Sequence, residues 1–465
     1  MRDDWVISGI GALCASGQDH ASLLAALQNR SVLPSTSGRE QEAGPRAGIT
    51  HTARDAGPSR GVALLATALA AAAADARLDE QSREDVGLVL ATAYGNLNSI
   101  IQLASQTLRS GARFVNPGRF PYTVVSTGAG YAARPLGFTG PCTTITAGDA
   151  SGSAALDLAR LLLCQGSAET IFVVGYEEYV PALGISYGSE IAPAMLPLPA
   201  TVRKGSADEA SLGIPMGEAA AALCLEAASR ARARGAPIYA TLSGASYTPL
   251  SRRGEPGARS AYPTGDPERL LIGSKCDTWI AAITAALDDA GCAPNDISLI
   301  FSAASAPGAD PAEAAALYAI FGQAGGNRWS RGSARLQPAR CSAGFQPTLM
   351  ECQHDQIHAA VCHAGVVLMK HHYDEGEDLL MPPIYYPATL WGRTIGVHGL
   401  LATAVAALLL NAVAQGQLSG FTHRSVKATE ELGNNGRMAA LIGDGGADGV
   451  AALVLRTSIA LDDGC

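Results

Sequence analysis

One pattern limits what this chain can fold into: an alanine-rich helix, a DAR- or DAG-type turn, an acidic loop and a buried strand occur twice. The first copy lies at 60–91 and contains ALAAAAADARLDEQSREDVGLVLA; the second lies at 276–302 and contains ITAALDDAGCAPNDISLIFS. A repeated supersecondary unit of this length points to duplicated halves. Strand and helix signals alternate through most of the remaining chain, the signature of an α/β architecture. Strands are expected at Trp5–Ile10, Val86–Ala91, Thr143–Thr146, Thr170–Val174, Ala219–Leu225, Tyr239–Ala245, Leu299–Ser302, Ala439–Ile442 and Val450–Arg456. Helices are expected at Arg60–Arg77, Ala150–Gln165, Cys276–Ala290, Pro311–Phe321 and Gly396–Gln415, with Gly291 as a helix stop.

The halves are expected to divide as 1–250 and 251–465, joined near the Gly/Pro-rich stretch SRRGEPGARSAYPTGDP. Residues 325–386 break the alternation and read as an insertion, carrying five of the nine histidines. A net charge of −9 without a basic cluster argues against nucleic acid and anionic membranes as partners. The start, MRDDWVISGIG, opens with acids and runs into a strand, unlike a signal peptide. The apolar run at 400–414 reads as a buried helix, too short to span a bilayer. Ten cysteines without framework spacing suit a reducing cytoplasm.

The stretch TITAGDASGS, at 144–153, takes a strand through Gly-Asp into a small-residue helix, with Asp149 at the elbow. Several ordered segments then give the chain a resemblance. VISGIGALCASG near the start, the turn Gly137-Phe138-Thr139-Gly140-Pro141, the strand opening Gly217-Glu218-Ala219-Ala220-Ala221, PGADPAE at 307–313, GRTIGVHG at 392–399 and GDGGADG at 443–449 resemble motifs of the β-ketoacyl synthases, the condensing enzymes of fatty-acid and polyketide assembly. The resemblance covers most of 1–324 and 387–465 and implies a thiolase-like fold: two duplicated α/β halves, five-layered and dimeric.

The catalytic residues implied by the resemblance are replaced. The nucleophilic cysteine falls on Asp149, the first histidine on Ser302 and the second on Arg393. The lysine preceding that second histidine falls on Ala388, and the phenylalanine of the C-terminal turn on Asp444. Condensation needs a thiolate to carry the acyl chain and neutral imidazoles to stabilise enolate and oxyanion. A carboxylate carries acyl groups poorly, and a guanidinium cannot act as a general acid-base at neutral pH. No cofactor is expected.

Asp149 is expected mainly as an N-cap for helix 150–165, paired with Arg393 across the former site. Cys142, before the elbow, reads as an inert packed thiol. Glu218 reads as a structural carboxylate. His398, five residues after Arg393 and a turn and a half along the same helix, is expected to point elsewhere as a packed histidine. In ECQHDQIHAAVCHAGVVLMKHH, at 351–372, His354, His358 and Cys362 would share one helix face and form a weak zinc candidate, set against a surface helix.

The resemblance extends to inactive relatives, the chain-length factors of type II polyketide systems. It implies a non-catalytic subunit pairing with an active ketosynthase, shaping its acyl tunnel and meeting an acyl carrier protein through the complex. An acyltransferase or thioester hydrolase using Asp149 and Arg393, and a homodimeric scaffold, are the alternatives. A decarboxylase is disfavoured, because a carboxylate at 149 would repel malonate.

Overall fold

In the computed structural model, β1 (Trp5–Leu13) leads through α1 (His20–Asn29) and α2 (Arg60–Asp75) to β2 (Val86–Ala91). Helices α3 (Leu97–Ser110) and α4 (Thr127–Ala133) precede β3 (Cys142–Ile145), α5 (Ser151–Cys164), β4 (Thr170–Glu177), β5 (Ala219–Ala227) and α6 (Ala228–Arg234). The chain continues with β6 (Ala240–Pro249), α7 (Pro267–Ala290), β7 (Leu299–Phe301) and α8 (Pro311–Phe321). Short strands β8 (Ala360–Cys362), β9 (Val366–Leu368), β10 (Lys370–His371), β11 (Leu379–Leu380) and β12 (Ile384–Tyr385) come next. Then follow α9 (Ala388–Trp391), α10 (His398–Ala414), β13 (Ala439–Gly445) and β14 (Gly449–Arg456). The structure describes residues 4–29, 59–79, 83, 85–180, 183, 217–250, 267–304, 310–321, 360–362, 366–368, 370–371, 379–380, 382, 384–391, 393–417, 438–446 and 448–458.

Ten strands form two blocks of one topology. The first runs β3-β2-β4-β5-β1 and the second, in mirrored order, β6-β14-β13-β7-β12. In the first, β2 lies parallel to β3 and β4, while β5 lies antiparallel to β4 and β1. In the second, β7 lies parallel to β12 and β13, while β14 lies antiparallel to β13 and β6. The duplication expected from the repeated segments is therefore present in the strand pairing. The blocks meet at a thin seam, where β1 and β6 share only the pairs Val6–Thr241 and Ile7–Ala240.

The layers follow from alternation along buried strands. On β5, Ala219, Ala221, Leu223 and Leu225 face a central core shared with α5 and α10, while Ala220, Ala222 and Cys224 face α2 and α4. On β14, Leu453 and Leu455 face the same central core, while Val450, Ala452 and Val454 face α7 and α8. The result is the five-layered thiolase-like fold.

Close packing explains the alanine-rich helices. A Cβ on Gly11 of β1 would lie 2.1 Å from the Ala68 carbonyl of α2, and one on Gly244 of β6 would lie 2.2 Å from the Ala286 carbonyl of α7. Glycine on the strand and alanine on the helix bring the two backbones together, once in each half.

The structure corrects several expectations. Helix α7 starts at Pro267 rather than Cys276, and α3 and α4 were not foreseen. Cys362 lies on strand β8, and β9 follows, so the helix expected through 351–372 is not continuous. The residues 395–414 are long and apolar enough to cross a membrane, contrary to the sequence estimate. Their packing, with most of these residues buried inside the protein, places them in the core.

Candidate functional site

The elbow after β3 forms because Gly148 adopts φ +57°, a conformation open to glycine at little cost. Ser151 ties the turn: its Oγ accepts from Ala147 N at 2.9 Å and donates to the Gly148 carbonyl at 2.6 Å. A 3-10 turn, Gly148–Ala150, intervenes before α5, whose N-cap is Ala150 without a side-chain cap bond. The capping role expected of Asp149 is thus corrected. The extra turn shifts the helix start past it.

The carboxylate of Asp149 turns across the site instead. Arg393 Nη2 donates to Asp149 Oδ2 at 3.4 Å, with both side chains mostly buried. The carboxylate also lies against Gly446, where a Cβ would come within 2.0 Å of Oδ2. Burial pushes the Asp149 pKa up, opposed by the charges of Arg393 and then Lys275. Arg393 sits on a strained turn, because Ile395 takes φ +40°, an outlier for a β-branched residue.

Ser302 is brought to the same region but engaged elsewhere. Its Oγ donates to Glu313 Oε2 at 2.8 Å, and Glu313 also accepts from Ala303 N and Ala304 N. Burial, then the neighbouring Asp310, raise the Glu313 pKa to about 7. Asp310 accepts from two backbone amides at the start of α8 and pairs with Lys275 at 2.7 Å. Ala388 is buried in α9, so the implied lysine has no charged replacement at that position. Asp444 is buried and accepts from Ser153 N at 3.2 Å; burial holds its carboxyl well above the usual range. Glu177, at the end of β4, accepts from Thr92 Oγ1 at 2.9 Å and from Ala93 N, and burial raises its pKa to about 8.

His398 belongs to this cluster rather than pointing away. Helix α10 begins at His398, so Arg393 precedes the helix and the assumed helical spacing does not apply. The imidazole is buried and donates to the Ser302 carbonyl, while its Nε2 has no partner. Burial lowers its pKa to about 4, so the ring is neutral near pH 7. It is a packed histidine, as expected, in an unexpected place.

The other candidates separate from this cluster. Glu218 is structural: Arg60 clasps it through Nε and Nη2, and Tyr179 N donates to it. Cys142 is exposed at the head of β3, not packed. His354 and His358 lie outside the described residues. Among the described residues, no three His, Cys, Asp or Glu side chains converge to hold a metal ion. Sequence reasoning missed Glu177 and Lys275; a buried acid ending a strand of apolar residues was the available signal for the first.

Against known proteins, residues 47–231 match the family profile "Beta-ketoacyl synthase, N-terminal domain", and residues 260–361 match "Beta-ketoacyl synthase, C-terminal domain". A putative polyketide beta-ketoacyl synthase 2 of Streptomyces cyaneus is 29% identical over 56% of this chain and 60% of its own length. The mitochondrial 3-oxoacyl-[acyl-carrier-protein] synthase of Arabidopsis thaliana is 26% identical over 53% of this chain and 50% of its own length. The matched region therefore spans only about half to three-fifths of these relatives. The ishigamide ketosynthase/chain length factor superposes with a TM-score of 0.59 at 18% identity, over 98% of this chain and 99% of that one. A type II polyketide synthase acyl-carrier protein in complex with its ketosynthase gives 0.64 at 14% identity, over 99% and 100%. At such identities the superpositions show the fold alone.

Proposed function

The chain belongs to the β-ketoacyl synthase family, and from that premise we propose that it is a non-condensing subunit. It pairs with an active ketosynthase and shapes the tunnel that receives the growing acyl or polyketide chain. The observation that carries this role is the ion pair of Asp149 with Arg393, at the positions where the resemblance puts a thiolate and an imidazole, within the two-block fold of the described residues. Neither group can carry an acyl chain and activate an extender unit as those residues do.

The surface supports pairing. Among the described residues, strand β3 hydrogen-bonds β2 on one side only, leaving an open sheet edge. Helix α4, which packs beside β3, carries the exposed Tyr131, and α3 and the turns after it bury no residue and leave Phe114, Phe120 and Val124 exposed. An open edge flanked by apolar side chains is a template for another chain. The similarity in fold to a ketosynthase/chain length factor and to a ketosynthase bound by its carrier protein makes such an assembly the natural setting.

Co-expression with the ketosynthase encoded beside it tests the role. A stable 1:1 complex whose product length changes with substitutions in this chain is expected. A chain that purifies only as a homodimer, and ignores the ketosynthase, would refute it. If the chain alone turns over acyl thioesters and Asp149→Asn abolishes that turnover, it is instead a divergent hydrolase or acyltransferase.

A further inference from the structure

Asn96 is the N-cap of α3, yet its side chain makes no capping bond. Its Oδ1 turns inward instead, accepting from Tyr176 Oη at 2.7 Å and from Ser59 Oγ at 2.8 Å. The cap comes from another element: Glu178 Oε1 accepts from Asn98 N, in the first turn of α3, at 3.0 Å. That carboxylate is buried and also accepts from Gly61 N at the start of α2. The neighbouring Glu177 holds the lead-in to the helix through its bonds from Thr92 Oγ1 and Ala93 N. Thr92 Oγ1 accepts in turn from Gly95 N at 2.9 Å. Three consecutive residues at the end of β4, Tyr176, Glu177 and Glu178, thus fasten α3 by its N-terminus. The fastening matters because α3 buries no residue. Among the described residues, the elements it packs on most are the two 3-10 turns that follow it, Ala112–Phe114 and Pro117–Thr123.

Glu177 also meets the former site. The 3-10 turn Ile395–Val397, which follows Arg393, lies so close that a Cβ on Gly396 would be 2.7 Å from Glu177 Oε1 and 2.5 Å from Ala93 N. We infer that Glu177 and Glu178 are positioning residues for pairing: they set the pose of α3 and couple it to the turn after Arg393. This role rests on the pairing proposed above, and it gives the Asp149–Arg393 ion pair a task. The pair keeps the turn seated on Glu177, and Glu177 keeps the loop Thr92–Gly95 in place. Glu178 then caps the helix that this loop delivers. A helix without buried side chains is fixed mainly by its fastened end, and local opening begins where such bonds are lost. At 1.5 Å per residue α3 is about 21 Å long, so a small tilt at its start is magnified at Phe114 beyond its far end.

Amide hydrogen exchange on the full-length chain alone reads the anchor, with the α3 peptide compared against the α5 peptide. Glu178→Leu fills the same space without an acceptor and should speed exchange in α3 about 10-fold, leaving α5 unchanged. Glu178→Gln, whose amide oxygen can accept the same bonds, should restore most of the protection, which separates hydrogen bonding from packing. Glu178→Asp, one methylene short, should give a smaller acceleration and serves if the leucine variant fails to fold. Arg393→Met, a change at the former site, should speed exchange in α3 severalfold. Titration with the ketosynthase encoded beside this chain should show weaker pairing in the same order of variants. Unchanged α3 exchange in the leucine and aspartate variants overturns the anchor, as does equal acceleration in α3 and α5. Wild-type α3 exchange in Arg393→Met overturns the coupling, and altered exchange with unchanged ketosynthase affinity overturns the role in pairing. If the wild-type chain binds no ketosynthase, the pairing falls, while exchange in the chain alone still decides the anchor.

Discussion

The two halves share a strand order but end differently. The first block finishes at β3, paired on one side only among the described residues, with Cys142 exposed and Thr143 to Ile145 half-buried. The second finishes its repeat at β12, which is buried and further covered by β9 and then β8. Each half packs an alanine-rich helix onto a glycine-bearing strand, so the cores are built alike. Their outer strands are not. The two halves thus share the means of folding but differ at their edges: β3 has no further strand beside it among the described residues, whereas β12 is covered by strands of the chain itself.

The shared core can be broken in both halves by one kind of change. Gly11→Val and Gly244→Val would each drive a side chain into a helix carbonyl, at 2.1 and 2.2 Å from the nearest atom. Each should cost about 3 kcal/mol or more, as overpacking of a rigid core does, and lower the denaturant midpoint without changing the slope. Similar losses are expected; a tolerant Gly244 would mean the second helix is loosely seated and the halves are not equivalent.

The edges should then respond in opposite ways. Tyr385 of β12 is buried and stacks on Phe301 with ring centroids 5.2 Å apart, so Tyr385→Ala should cost roughly 3 kcal/mol of stability. Phe120→Glu, in the exposed 3-10 turn that packs on α3 and α4, should leave thermal stability within about 0.5 kcal/mol while preventing association with the ketosynthase. Size-exclusion chromatography with calorimetry separates the two outcomes. Equal effects on folding and pairing at both positions would erase the distinction.

Much of this was legible in the sequence, and the failures have physical causes. The strands that form the cores were found because buried strands in this fold are continuous apolar runs, as at Ala219–Leu225 and Val450–Arg456. Helix α3 was legible but passed over: Leu97, Ile100, Ile101, Ala104 and Leu108 recur at helical spacing, although no residue of the helix is buried in this chain. Asp149 was misread as a cap because a single 3-10 turn separates it from α5. His398 was misplaced because a 3-10 turn at Ile395–Val397 delays the start of α10, which spacing alone does not reveal.

The halves also each bury acids, with consequences for pH. Glu177 and Glu313 have pKa values raised from 4.5 to about 8 and about 7, so the native chain holds protons the unfolded chain releases. Their contribution to stability therefore falls as pH rises from about 4.5 towards 8. His398, lowered from 6.5 to about 4, acts oppositely, with stability falling as pH drops through that interval. Melting temperature should decline between pH 6.5 and 8.5. Glu177→Gln, whose amide oxygen can keep the bonds from Thr92 and Ala93, should remove a loss on the order of 2 kcal/mol from that range. An unchanged pH profile in that variant would show that Glu177 is ionised in the folded chain.

The smallest change leaves stability alone and reads the open edge directly. Cys142 is exposed at the head of β3, and Cys164 is exposed at the end of α5, away from that edge. Cys142→Ser should alter stability by less than about 0.5 kcal/mol, because the thiol fills no core space. Its reactivity is the useful quantity. Desolvation raises the Cys142 thiol pKa, so alkylation is slow but measurable in the chain alone. When a ketosynthase covers the edge, modification of the Cys142 peptide should slow severalfold, while that of the Cys164 peptide continues at its former rate. Protection of both would indicate general tightening of the fold, and protection of neither would place the partner on another face.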